Sequence, residues 1–364
     1  MPLMLRPTLL LLAFVAALNA QNVYPGKEWE KASKPEAAGF SAPRLAAVTP
    51  FLQTLDTSAM IVVSGGRVVY EYGDLQKVSY LASCRKSVLA MLYGNYVASG
   101  KISLRKTLRE MGIDDIGGLL PIERTATVED LLTARSGVYR PGSNGGDARE
   151  FFPSRGSKKP GTWYLYNNWD FNAAGTVFEK MTGRDIYDAL ESDLTKPIGM
   201  QDFDRGTHQK SGDLTISMHP AYHMNFSTRD MARLGYLMLR HGNWNGKQLV
   251  PADWTKKIVS LVTPVDKINP PQWQGYGQGT LWGYGYLWWV WDDHGREGPL
   301  AGAYTAMGAF GQYITILPKL DVVIAHKTVP RASSNEPARE VTDAQYQAVL
   351  MQVIAAHCGS GCAK

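Results

Sequence analysis

The sequence predicts a mixed α/β (α+β) fold: an antiparallel sheet flanked by helices and built from both ends of the chain, with a mostly helical domain inserted between them. Two observations predict it. Strand–turn–strand patterns occur near both ends, and capped helical segments fill the middle. With 364 residues, 45% of them hydrophobic, the chain can bury a large core and form more than one domain.

Residues 59–72 read AMIVVSGGRVVYEY. Two β-branched runs flank Ser64-Gly65-Gly66-Arg67, the signature of a hairpin with a glycine-permitted tight turn. The pattern recurs as QYITIL at Gln312–Leu317 and VVIA at 322–325, around Pro318-Lys319-Leu320-Asp321. Hairpins join antiparallel strands. In the middle, Thr127-Val128-Glu129-Asp130 precedes Leu131-Leu132, and Ser227-Thr228-Arg229-Asp230 precedes an apolar run to Leu239. Both are capping-box-like helix starts. Residues 170–181 and 186–194 carry helical apolar spacing, and loops such as 141–160 separate the helices. The expected division is a sheet domain from 21–99 plus 246–364, and a helical domain from 100–245.

Residues 1–20, MPLMLRPTLLLLAFVAALNA, read as a signal peptide. Arg6 supplies the positive head, residues 9–18 the apolar stretch, and Asn19-Ala20 the small-residue site before Gln21. An uncleaved membrane anchor is the alternative. Export to a periplasm or to the exterior follows from this reading. A formal net charge of +5, with Lys and Arg dispersed, carries no nucleic-acid footprint. Cys358 and Cys362 flank Gly-Ser-Gly and suit a small local disulfide, whereas Cys84 reads as a small buried side chain. His219 and His223, with Asp202 and Asp204 near in sequence, have metal-ligand residue types. Pro220 argues against a helix there, so they read as loop residues and no metal is expected. No nucleotide fingerprint is present, and no cofactor is expected. The ten tryptophans, Trp282, Trp288, Trp289 and Trp291 among them, suggest part core and part cleft wall.

Three segments carry the chemistry. In Ser83-Cys84-Arg85-Lys86, which opens an apolar run, Ser83 and Lys86 share one helix face. A hydroxyl needs a base to become a nucleophile, and a lysine in an apolar site loses its proton readily. Ser103 and Lys106 have the same spacing but sit among Lys101, Arg105 and Arg109, so that lysine reads as solvated. Tyr166-Asn167-Asn168 sets a phenol and an amide between aromatics and ahead of a helix. Finally, Ala306-Met307-Gly308-Ala309 leads into the last hairpin, where glycine permits close backbone approach at a strand edge.

Together these segments resemble the serine β-lactamase and penicillin-binding-protein superfamily: S-x-x-K, then Y-x-N, then a glycine-bearing strand. Tyr166 follows Ser83 by 83 residues, and Gly308 follows Tyr166 by 142. Tyrosine in the second motif is similar to the class C branch. That branch holds class C β-lactamases, D-alanyl-D-alanine peptidases, family VIII carboxylesterases and 6-aminohexanoate-dimer hydrolases. The resemblance implies Ser83 as nucleophile, Lys86 as its proton partner and Tyr166 as general base and then acid. It implies that Asn168 positions Lys86 or substrate, and that the N–H groups of Ser83 and Ala309 form an oxyanion hole. In lactamases and peptidases the third motif begins with Lys, or often His in esterases, followed by Thr and Gly. Here Ala306 and Met307 stand in those places. The variant resembles the 6-aminohexanoate-dimer hydrolase group. It implies an exported serine hydrolase whose partner is a small-molecule ester or linear amide. A β-lactamase or D-alanyl-D-alanine carboxypeptidase is the alternative, with residues 155–159 as another source of a cation, and a non-catalytic sensor is the second. The sequence leaves the oligomeric state open.

Overall fold

The computed structural model describes residues 23–271, 281–292, 297–328 and 339–363; the expected signal peptide lies outside them. Both hairpins form. Strand β1 (Thr57–Ser64) turns into β2 (Arg67–Gly73) through Gly65 and Gly66, at φ 57° and 84°. Two consecutive positive φ values match the twist of a two-residue hairpin, and glycine adopts them without strain. At the other end, β3 (Trp282–Tyr284), β4 (Trp289–Trp291), β5 (Tyr304–Gly308), β6 (Gln312–Leu317) and β7 (Val322–Thr328) follow one another.

Among the described residues these strands form a seven-stranded antiparallel sheet in the order β2-β1-β7-β6-β5-β4-β3. The chain ends meet at the β1–β7 pair, where Ile61 faces Ala325 and Val62 faces Ile324. Strands β6 and β7 are buried along their whole length, so both faces of the sheet are covered.

Four longer helices matter for the site: α1 (Cys84–Ala98), α2 (Asn168–Thr182), α3 (Thr228–Leu239) and α4 (Asp343–Ala356). Helix α3 packs on β7, β6 and β1. It falls within residues 100–245, so that stretch also covers one sheet face. On the opposite face α4 stacks Tyr346 on Tyr313 of β6, with ring centroids 3.7 Å apart. The expected caps are present: Thr127 and Asp130 make a reciprocal capping box, and the Ser227 side chain accepts from the Asp230 N–H. The helix expected over 186–194 is α-helical only over Ile186–Leu190 and continues as a π-helical turn, Glu191–Thr195. Cys358 and Cys362 are joined in a disulfide, and Cys84 is buried with its thiol donating to the Gln312 carbonyl. Among the described residues no helix is long and apolar enough to cross a membrane.

One buried amine ties the sheet to the segment that precedes α1. Lys327 of β7 is 1% exposed. Its Nζ donates to the carbonyls of Ser79 at 2.7 Å, Phe226 at 2.9 Å and Tyr80 at 3.4 Å. Ser79–Tyr80 pairs antiparallel with Asn225–Phe226, immediately before Ser83. Burial holds this amine down to about 7, and three carbonyls would lose their donor together if it were removed. Lys327→Met is therefore expected to destabilise the fold by about 2–4 kcal/mol, read as a lower midpoint in urea unfolding. An unchanged midpoint would show that these carbonyls do not depend on Lys327.

Candidate active site

Ser83 stands at the N-cap of α1 with helical dihedrals, φ −73° and ψ −11°. The residue before it, Ala82, has φ 50°, in the left-handed region that costs an L-residue roughly 1–2 kcal/mol. Two contacts hold that turn: the Leu81 N–H donates to the Met224 carbonyl at 2.9 Å, and Arg85 Nη1 donates to the Ala82 carbonyl at 3.3 Å. Every residue from Cys84 to Gly94 is buried, so α1 carries Lys86 into a dry interior.

The Lys86 amine is the centre of the site. Its Nζ lies 3.1 Å from Ser83 Oγ, 2.8 Å from the Tyr166 hydroxyl and 2.8 Å from Asn168 Oδ1. The rings of Tyr166 and Phe171 enclose it, with centroids 4.4 and 4.3 Å away. Burial holds Lys86 well below the ordinary lysine range; the neighbouring Arg85 charge pushes the same way, and Asp147 opposes. Burial likewise pushes the Tyr166 phenol up, against a hydrogen bond from Ser83 and the Arg85 charge. Both shifts favour an uncharged amine beside an uncharged phenol. Such an amine can accept a proton from Ser83.

Helix α2 delivers Asn168. Its cap is the preceding residue, Asn167, whose side chain accepts from the Trp169 N–H at 3.1 Å. That frees Asn168, whose Nδ2 donates to the Gly145 carbonyl and whose N–H donates to Asp147 Oδ1 at 2.8 Å. The amide is thereby turned with its oxygen toward Lys86. The 141–160 loop, read from sequence as a separator, thus builds a wall of the site. Its glycines and single aspartate carried no spacing that could have announced this.

Ser83, Tyr166 and Asn168 open into a cleft of about 500 Å³. Met307, Gly308 and Ala309 line its other side. A Cβ on Gly308 would lie 2.7 Å from the Leu81 carbonyl oxygen and 3.1 Å from Ala82 Cβ, so glycine lets β5 close on the Ser83 turn. Ala306 departs from expectation: it is fully buried and does not line the cleft, leaving Met307 as the side chain this part of the strand presents. Trp289 lines the cleft and stacks on Tyr166, whereas Trp282 and Trp288 are core.

The other candidates lie elsewhere. Arg155 pairs with Glu123 at 2.6 Å and does not line the cleft. Ser103 is exposed, outside the cleft. His223 lies in a short strand, Ala221–His223, rather than a loop, because those residues pair with Gln209–Ser211. Its Nδ1 is 3.0 Å from the Tyr80 hydroxyl, that of His219 is 3.1 Å from Thr176 Oγ1, and Asp202 pairs with Arg229. Among the described residues no group of three His, Cys, Asp or Glu could hold a metal.

A serine, a lysine and a tyrosine gathered between an antiparallel sheet and an inserted helical region define the class of this molecule. Residues 46–348 match the family model described as Beta-lactamase, and the chain belongs to the β-lactamase family, a family of hydrolases. It is similar in fold to a Bacillus anthracis protein assigned as a 6-aminohexanoate-dimer hydrolase, with TM-score 0.62 and 21% identity over 84% of this chain and 79% of that one. It is also similar to a family VIII carboxylesterase, with TM-score 0.59 and 12% identity over 87% of this chain and 99% of that one. At these identities the likeness is one of fold. An uncharacterized protein of Alkalihalophilus pseudofirmus is 29% identical over 107 residues, so the match spans 28% of that relative's length.

The approach of β5 to Ser83 can be tested directly. Gly308→Ala should slow labelling of Ser83 by a fluorophosphonate at least about tenfold, because displacing one wall by a fraction of an ångström spoils the attack geometry. Labelling at the wild-type rate would show that the contact does not govern Ser83.

Proposed function

We propose that this protein is a serine hydrolase that cleaves an ester or a linear amide through a Ser83 acyl-enzyme. The observation that carries the reading is the buried Lys86 amine within hydrogen-bond distance of Ser83 Oγ, Tyr166 OH and Asn168 Oδ1 at once. Uncharged Lys86 takes the Ser83 proton as Oγ attacks the carbonyl carbon. The N–H groups of Ser83 and Ala309 receive the oxyanion. Tyr166, hydrogen-bonded to Lys86, passes a proton to the departing alcohol or amine. Water then attacks the acyl-Ser83 ester, gives its proton to the same pair, and releases the acid with the serine hydroxyl restored. Membership of the β-lactamase family and fold likeness to an esterase and to a protein assigned as an amide hydrolase support this reading. Export, carried by residues 1–20, belongs to the same proposal.

Substrate choice follows from the third motif. A β-lactam or D-alanyl peptide presents a carboxylate near the scissile bond. Met307 offers that carboxylate neither a cation nor a hydroxyl, and Ala306 is turned into the core. A charge-assisted hydrogen bond is worth roughly 1.5–3 kcal/mol. Its absence from this strand, with Glu340 and Asp343 in the cleft lining and Arg85 there only 1% exposed, favours uncharged acyl groups.

Ser83→Ala is expected to abolish hydrolysis of p-nitrophenyl butyrate with an unchanged circular dichroism spectrum, while Ser103→Ala stays near wild type. Activity retained without Ser83 would remove it from the mechanism. Penicillin turnover by the wild-type protein should be slower than that ester's by at least about tenfold, the equivalent of about 1.4 kcal/mol. Equal rates would mean that another group holds the carboxylate.

A further inference from the structure

Next to the site lies a charge that its one hydrogen bond, to the Ala82 carbonyl, does not neutralise. Arg85 is 1% exposed, at a position where burial of an ion costs several kcal/mol unless it is paired. Nη1 donates to the Ala82 carbonyl, but among the described residues Nε and Nη2 have no hydrogen-bond partner. The guanidinium carbon sits 5.2 Å from the centre of the Tyr222 ring. Tyr222, Tyr187 and His223 all feel the Arg85 charge, and all are uncharged at neutral pH: burial pushes both phenols up and the imidazole down to about 4. None of them neutralises the guanidinium. Among the described residues no carboxylate pairs with Arg85, although Glu340 and Asp343 line the same cleft, so a cation stands one residue before Lys86 on that cleft's wall.

We propose that Arg85 is a positioning residue whose uncompensated charge keeps the Lys86 amine free to accept the Ser83 proton. The role rests on the hydrolase reading above, and it acts by field rather than by contact with substrate. The groups that face Lys86 come from each surrounding element. Ser83 at the α1 cap and Tyr166 and Asn168 at the head of α2 lie within hydrogen-bond distance of the Lys86 amine, whereas Cys84 and Arg85 of α1 and Asp147 of the 141–160 loop act on it through charge alone. Burial pushes the Cys84 thiol up, with Lys327 of β7 opposing, so the thiol is uncharged at neutral pH. Burial holds the Lys327 amine down to about 7, so among the described residues Asp147 and Arg85 are the fixed charges that act on Lys86, with opposite signs. Asp147 is occupied by the N–H groups of Gly142 and Asn168. Arg85 also draws the Tyr166 phenol toward ionisation, which helps it give up a proton. The sign is then fixed. As pH falls, Lys86 takes up a proton and ceases to be a base, so the rate falls on the acid side. Without the Arg85 charge Lys86 binds its proton more tightly, and that loss begins at higher pH.

The test reads Lys86 itself. Lysine labelled with ¹³C at Cε is titrated by NMR in the wild-type protein, in Arg85→Met and in Arg85→Gln, with the signal absent from Lys86→Gln assigned to Lys86. Both changes remove the charge, and glutamine keeps an N–H donor for the Ala82 carbonyl, so it also serves if the methionine variant does not fold. The midpoint should rise by at least about tenfold in proton affinity, the scale of one unit charge acting across a low-dielectric interior. The acid limb of ester hydrolysis should move up with it. A midpoint that stays in place in a folded neutral variant overturns the proposal, even if activity falls, because Arg85 would then only pack. The titration needs no turnover, so an inactive wild-type protein would overturn the hydrolase reading and leave the Arg85 assignment to the NMR result.

Discussion

The fold is organised around one costly arrangement: a lysine amine kept dry within reach of a serine hydroxyl. In water that amine would be an ammonium, strongly hydrated and useless as a base. Enclosed by Tyr166 and Phe171 on one side and by the interior of α1 on the other, it is held well below its ordinary range. Residues from three distant stretches of chain converge to do this. The helix after the first hairpin brings Ser83 and Lys86, the helical insert brings Tyr166 and Asn168, and the loop within that insert brings Asp147 to hold Asn168 in place.

The sheet contributes rigidity at the point where the chain is strained. Ala82 holds a left-handed conformation that is costly for an L-residue, and it persists because its surroundings hold it there. Gly308 brings β5 against Leu81 and Ala82 from one side. Lys327 binds the carbonyls of Ser79, Tyr80 and Phe226 from beneath. The cleft wall, β5, and the anchor of the segment before the nucleophile, β7, are thus strands of one sheet on either side of β6, and the N-terminal segment that carries Ser83 must dock on them before the site exists.

What could be read in the sequence was what is encoded locally. A glycine turn between β-branched runs announced the first hairpin, Pro318-Lys319-Leu320-Asp321 between two such runs announced the last, and a hydroxyl three residues before an acid announced the helix starts at Thr127 and Ser227. The Ser83–Lys86 spacing was legible because helix periodicity turns it into a shared face. Features that depend on tertiary register were not legible. Whether Ala306 or Met307 faces the cleft is a matter of strand parity against α1, and only the paired sheet decides it. Which of Asn167 and Asn168 caps α2 depends on Asp147, whose loop has no periodicity to read. His223 became a strand residue because a partner strand lay alongside, and the sequence assigned no role to Arg85, whose burial only the packed helix shows.

The central claim is that the buried Lys86 amine activates Ser83. The most direct measurement mixes the protein with a p-nitrophenyl ester, stops the reaction in acid within milliseconds to minutes, and weighs the intact protein and its peptides. Wild-type protein should gain one acyl group on the peptide that carries Ser83, and Lys86→Met should gain none over the same interval. An adduct that forms on Ser83 equally fast without the Lys86 amine, or one that forms on a different residue, would contradict the account.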